Sequence, residues 1–78
     1  MYKNKANNRN NISGTVIKKH RQEKHWSQRE LSDKLMLAGL DIDKNAVQRI
    51  EAGKRFVTDI EIVAFSKVFD VTFEELLK

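Results

Sequence analysis

One helix-start signal recurs three times, and it constrains the fold more than anything else in the chain. Ser27-Gln28-Arg29-Glu30, Thr58-Asp59-Ile60-Glu61 and Thr72-Phe73-Glu74-Glu75 each place a hydroxyl three residues before a glutamate. In such a capping box the hydroxyl accepts from the backbone N–H three residues on, and the carboxylate reaches back to the cap's own N–H. Each box is flanked by an apolar staple: Trp26 with Leu31, Val57 with Ile62, and Val71 with Leu76. Strand signals do not compete. Period-2 alternation is not sustained, no Asn-Gly or Asp-Gly turn occurs, and there is no proline. The pattern predicts an all-α domain.

Five helices follow. The first spans about Gly14 to Lys24, with Ile12, Val16, Ile17 and His20 on or near its inner face. The second spans about Gln28 to Leu37, with Leu31 and Leu35 inward. The third begins after the N-cap Asp43 and runs from Lys44 to Ala52, where Gly53 stops it. The fourth starts at Thr58 and ends near Phe69, and the fifth starts at Thr72. Residues 1–11 are Asn-rich, with Lys3, Lys5 and Arg9 as their only charges. They read as a flexible basic arm, able to lie along a DNA backbone or to have no role. Residues 12–78 form the folded domain.

At 78 residues a core is modest, and the absence of cysteine leaves no disulfide or Cys-based zinc site. No apolar run approaches the roughly 20 residues of a membrane span, and the N-terminus lacks the apolar stretch of a signal peptide. The expectation is a soluble cytoplasmic protein. Charge is uneven. Residues 1–55 carry 13 Lys/Arg and 6 Asp/Glu, net +7, whereas residues 56–78 carry 2 and 5, net −3. The first two-thirds is therefore suited to a polyanion; ordinary charge scatter is the plainer alternative.

The third helix divides cleanly. At about 100° per residue, with Lys44 at the origin, Gln48 falls near ~40°, Ala52 near ~80°, Asn45 near ~100° and Arg49 near ~140°. Ala46, Ile50 and Val47 fall at about 200°, 240° and 300°. The apolar arc should dock on the first two helices and leave Lys44, Asn45, Gln48 and Arg49 outward. Asn and Gln can pair bidentately with adenine, and Lys and Arg can donate to guanine O6 and N7. A polar face alone is weak evidence, because every surface helix has one. Its place as the second helix after a capped first helix is what raises it to a candidate helix-turn-helix reader. Gln28, at a helix N-terminus, suits a phosphate. Lys54 and Arg55 could hold further phosphates, compensate the helix dipole, or do both. For Lys18, Lys19 and Lys24 a solvated face is the better reading.

Taken together, Ile17-Lys18-Lys19-His20-Arg21, Trp26 to Leu31, Val47 to Arg55 and Val71 to Leu77 resemble the lambda-repressor-like, Xre/Cro-type helix-turn-helix family. The resemblance covers about residues 12–78. It implies a compact five-helix DNA-binding domain. It places Lys44, Asn45, Gln48 and Arg49 at base edges, and Lys54 on the backbone. Gln28 falls where the family contacts phosphate and supports the start of the recognition helix. The resemblance also implies an ion pair between Arg21 and Glu51. Two features depart from the family. The connection Leu37 to Ile42 is longer by about four residues, and His20 stands where an aliphatic residue is usual. We read His20 as a half-buried packing residue.

No enzyme is expected. His20 and His25 share no helix face and have no third ligand, Ser27 lies in no G-x-S-x-G setting, and no Gly-rich loop could cradle phosphate. No cofactor, metal or small-molecule ligand is expected. The expectation is a sequence-specific transcriptional regulator, by default a repressor, acting in the cytoplasm on a bacterial or phage nucleoid. It would bind double-stranded DNA as a homodimer on an inverted-repeat operator, with Phe73 and Leu77 as a possible dimer seam and core packing as the stronger role for Phe73. The rival is a protein-binding module, such as an antitoxin or adaptor; an apolar third-helix face would favour it.

Overall fold

The computed structural model describes residues 9–77. Five helices occupy these residues: α1 (Gly14–Glu23), α2 (Gln28–Leu37), α3 (Lys44–Glu51), α4 (Asp59–Phe69) and α5 (Phe73–Leu76). Ser27 and Thr58 form complete capping boxes with Glu30 and Glu61. The third box is half made: Thr72 accepts from the Glu75 N–H at 3.2 Å, and α5 is a single turn. Asp43 caps α3 by accepting from the Ala46 N–H at 2.9 Å.

The first four helices end in the same way. His25, Gly39, Gly53 and Asp70 each have positive φ directly after a helix. At each stop two backbone bonds close the last turn, as with Gly39 N–H to Met36 O and Leu40 N–H to Leu35 O. This is the Schellman stop, which gives the last carbonyls partners. It also resolves the long α2–α3 connection. Of the two ways to take up the extra residues, a longer α2 or a bulging turn, the chain uses the second, since α2 ends at Leu37. The stop is made at Gly39, and Leu40 and Ile42 then turn inward against the core.

One core joins all five helices. Ile17 of α1, Leu31 and Leu35 of α2, Val47 and Ile50 of α3, Phe65 and Phe69 of α4 and Leu76 of α5 are buried. Burying each large side chain contributes about 1.5–3 kcal/mol. α3 packs chiefly on α2 and α1, so its apolar arc is the one expected, with Val47 and Ile50 fully buried. His20 is half-buried with its ring 5.4 Å from that of Phe69, a packing role. Ile12 does not line the inner face: it lies before α1 and is 50% exposed.

The arm needs a revised boundary. Residues 1–8 lie outside the described residues. Arg9 to Asn11, expected to be mobile, are hydrogen-bonded to the end of α3 and the turn after it. Asn11 also caps α1, because its Oδ1 accepts from the Gly14 N–H at 2.7 Å while the Ser13 side chain makes no cap bond.

Candidate nucleic-acid interface

Lys44, Asn45, Gln48 and Arg49 are all exposed on one side of α3, opposite buried Val47 and Ile50. Among the described residues, none of these four side chains is hydrogen-bonded or ion-paired within the fold; Val47 and Ile50 pack the helix down, and its last residue supplies the polar brace. Glu51 is buried, and its carboxylate accepts from Arg21 Nε at 2.6 Å and Nη2 at 3.0 Å. Arg21 in turn donates from Nη1 to the Trp26 carbonyl at 2.8 Å. The fork therefore spans the end of α1, the α1–α2 turn and α3. A bidentate Arg–carboxylate pair fixes angle as well as distance.

Gln28 completes this network. Its Nε2 donates to Glu51 Oε1 at 3.1 Å, so it supports the last turn of α3, not its start as expected. Half-buried at the first turn of α2, its side-chain amide is engaged inside the fold. Lys54 is exposed just past Gly53, on the side of α3's C-terminus. Arg55 is placed differently from Lys54. Its Nη1 and Nη2 donate to the two carboxylate oxygens of Glu61 at 3.0 and 2.9 Å, which makes it a brace between the α3–α4 turn and α4.

Two features escaped the sequence. Arg29 is exposed and lines a shallow groove between α2 and α3 with Lys44, a groove that Asp33, Asp41 and Asp43 also line. Its place in α2's first turn, next to Gln28, was the available signal. The contacts of Arg9 to Asn11 with α3 and the turn after it had none, because they depend on tertiary approach; only the Asn11 cap on the Gly14 N–H is local.

On the acidic side, Phe73 and Leu77 are about half exposed and border an apolar groove with Val57, Ile62 and Val63. Core packing is thus not the role of Phe73; Leu76 takes the buried position in α5. Ile60 is 72% exposed. Among the described residues, no helix is long and apolar enough to cross a membrane.

A small all-α fold that braces one amphipathic helix from behind, leaving amide and cationic side chains outward, defines a helix-turn-helix DNA-binding protein. The helix-turn-helix family model matches residues 17–76, and the chain belongs to that family, in its lambda-repressor-like, Xre type. It is a DNA-binding transcriptional regulator. Among solved structures it is similar to the restriction-modification controller protein C.AhdI from Aeromonas hydrophila. The two share 29% identity and a TM-score of 0.65, over 83% of this chain and 91% of that one. Comparison with curated proteins gives no match.

Proposed function

We propose that the protein is a repressor that reads the major groove with α3 and acts by occupying its site, without catalytic chemistry. The observation that carries this reading is the division of α3: four exposed side chains fit for base edges on one side, and a buried ion-pair brace on the other. Lys44, Asn45, Gln48 and Arg49 contact bases, and Lys54 holds a flanking phosphate. Arg29 adds a second basic contact at the near end of the groove. Arg55 supports the turn that carries Lys54. Likeness to a restriction-modification controller supports the regulatory role.

The binding unit is a homodimer on an inverted repeat, with half-sites about 34 Å apart on one face of the duplex. Exposed Phe73 and Leu77, in the acidic last third of the chain, support this seam. The protein works in the cytoplasm, on the nucleoid. In vitro selection of bound duplexes from a random pool tests the proposal. A recovered palindrome is the expected result. Failure to enrich any sequence at low salt would overturn it in favour of a protein-binding adaptor.

A further inference from the structure

The far end of α3 is wrapped by the chain that precedes α1. Asn11 Nδ2 donates to the carbonyls of Ile50 and Arg55 at 3.1 and 2.7 Å. Arg9 Nη2 donates to the Glu51 carbonyl at 2.8 Å. Asn10 donates from its backbone N–H to the Gly53 carbonyl at 2.8 Å and from Nδ2 to the Lys54 carbonyl at 3.1 Å. Five carbonyls, at Ile50, Glu51, Gly53, Lys54 and Arg55, thus receive donors from three consecutive residues.

The slot that admits this strap is made by two glycines. A Cβ at Gly53 would stand 2.7 Å from Arg9 Cζ, and a Cβ at Gly14 would stand 2.8 Å from Arg9 Nη2 and collide with the Ile50 carbonyl oxygen. Gly53 is therefore favoured twice, for its φ of 77° and because a Cβ there would displace the Arg9 side chain.

A helix C-terminus carries a partial negative charge on its unpaired carbonyls, which disfavours an approaching phosphate. Lys54 stands at that end. We propose that Arg9, Asn10 and Asn11 are positioning residues for DNA binding. They clamp the backbone from Ile50 to Arg55, turn its carbonyls toward their own donors, and so present the Lys54 ammonium to a phosphate from a fixed and neutralised turn. The proposal rests on the reading of Lys54 as a phosphate contact.

A double-mutant cycle on the full chain tests it. Asn11→Ala, Lys54→Ala and the double variant are titrated across salt against the duplex recovered by selection, with circular dichroism confirming that each is folded. The expected result is that each single variant loses affinity about tenfold, the scale of one hydrogen bond to a charged group. Each also loses about one unit of salt slope. The double variant is no more than about twofold weaker than Lys54→Ala alone, because the strap acts through Lys54. Amide exchange at Gly53 and Lys54 should quicken in Asn11→Ala.

Unchanged affinity in Asn11→Ala, or additive losses in the double variant, would overturn the strap proposal while leaving the phosphate reading intact. Unchanged affinity in Lys54→Ala would sink the phosphate reading and the strap proposal with it. Arg9→Ala serves if Asn11→Ala is unfolded. Loss of folded structure in both would make the strap a part of the core and would also overturn the proposal.

Discussion

The Arg55 guanidinium meets the Glu61 carboxylate edge to edge, with both oxygens engaged at 3.0 and 2.9 Å. One of those oxygens also accepts the Thr58 N–H at 3.0 Å. A single carboxylate therefore closes a helix cap and anchors the preceding turn. Burial by itself would raise the Glu61 pKa. The bond from Arg55, with those from Thr58, outweighs burial and holds the carboxyl below its ordinary value. The same bond raises the Arg55 guanidinium further.

Acid sensitivity follows from that depressed value. In the unfolded chain Glu61 titrates near about 4.3. Its folded value is lower, so its stabilisation is complete above about pH 4.3 and is lost as pH falls through the folded value. Thermal melts of the wild type should weaken on acidification below that point, and Glu61→Gln should show a shallower decline. Parallel profiles for the two proteins would remove Glu61 from this role.

The reading face and the flanking contact should separate in binding experiments. Asn45→Ala is expected to change which bases are preferred, with only a modest change in salt slope. Lys54→Ala should weaken binding to all sequences alike and lower the slope by about one unit. Titrations on selected and random duplexes would distinguish the two; equal losses on both duplexes from both variants would contradict the assignment.

Removing one partner of the buried brace should be severe. Arg21→Ala leaves Glu51, 3% exposed at its side chain, with only the Gln28 amide. The cost should reach roughly 3–5 kcal/mol in denaturant titrations. The Arg21→Ala, Glu51→Ala double variant should lose much less than the sum of the singles. Simple additivity would mean that the pair does not act as a unit.

The helix stops leave room for improvement. His25 and Asp70 adopt φ of 59° and 57°, where a Cβ costs about 1–2 kcal/mol. Glycine relieves that cost but loses about 0.5–1 kcal/mol to its freer unfolded state. His25→Gly and Asp70→Gly should each stabilise the fold by about 0.5–1 kcal/mol, read as a rise in melting temperature. A fall in both would show that these side chains contribute something beyond the turn.

The seam prediction concerns Phe73. Phe73→Asp places a charge on the apolar groove shared with Val63 and Leu77. Sedimentation should then show monomer under conditions where the wild type is dimeric, with the helical signal retained. A dimer that persists in this variant and in Leu77→Asp would move the seam elsewhere.

Most of the helical frame was legible because its signals are local. Ser27 with Glu30 and Thr58 with Glu61 each lie within four residues, and the rotation angles of α3 depend only on helix geometry. The brace was reachable too, through the resemblance that paired Arg21 with Glu51. What could not be read depends on distant approach. Arg55 looked like a free cation because nothing local announces that Glu61, at the start of α4, folds back onto it. Phe73 and Leu76 are both apolar residues of one short helix, and only packing decides which turns inward. Arg9 to Asn11 read as a free arm because the carbonyls their side chains bond lie 39 to 44 positions away in the chain.

Glu51 accepts donors from three separate segments: Arg21 of α1 and Gln28 of α2 on its carboxylate, and Arg9 on its backbone carbonyl. It works as a junction with three inputs. The bearing of the reading helix is then a joint property of α1, α2 and the N-terminal strap. Loosening any one of them bears on the same terminus of α3, so the three segments share one mechanical end point.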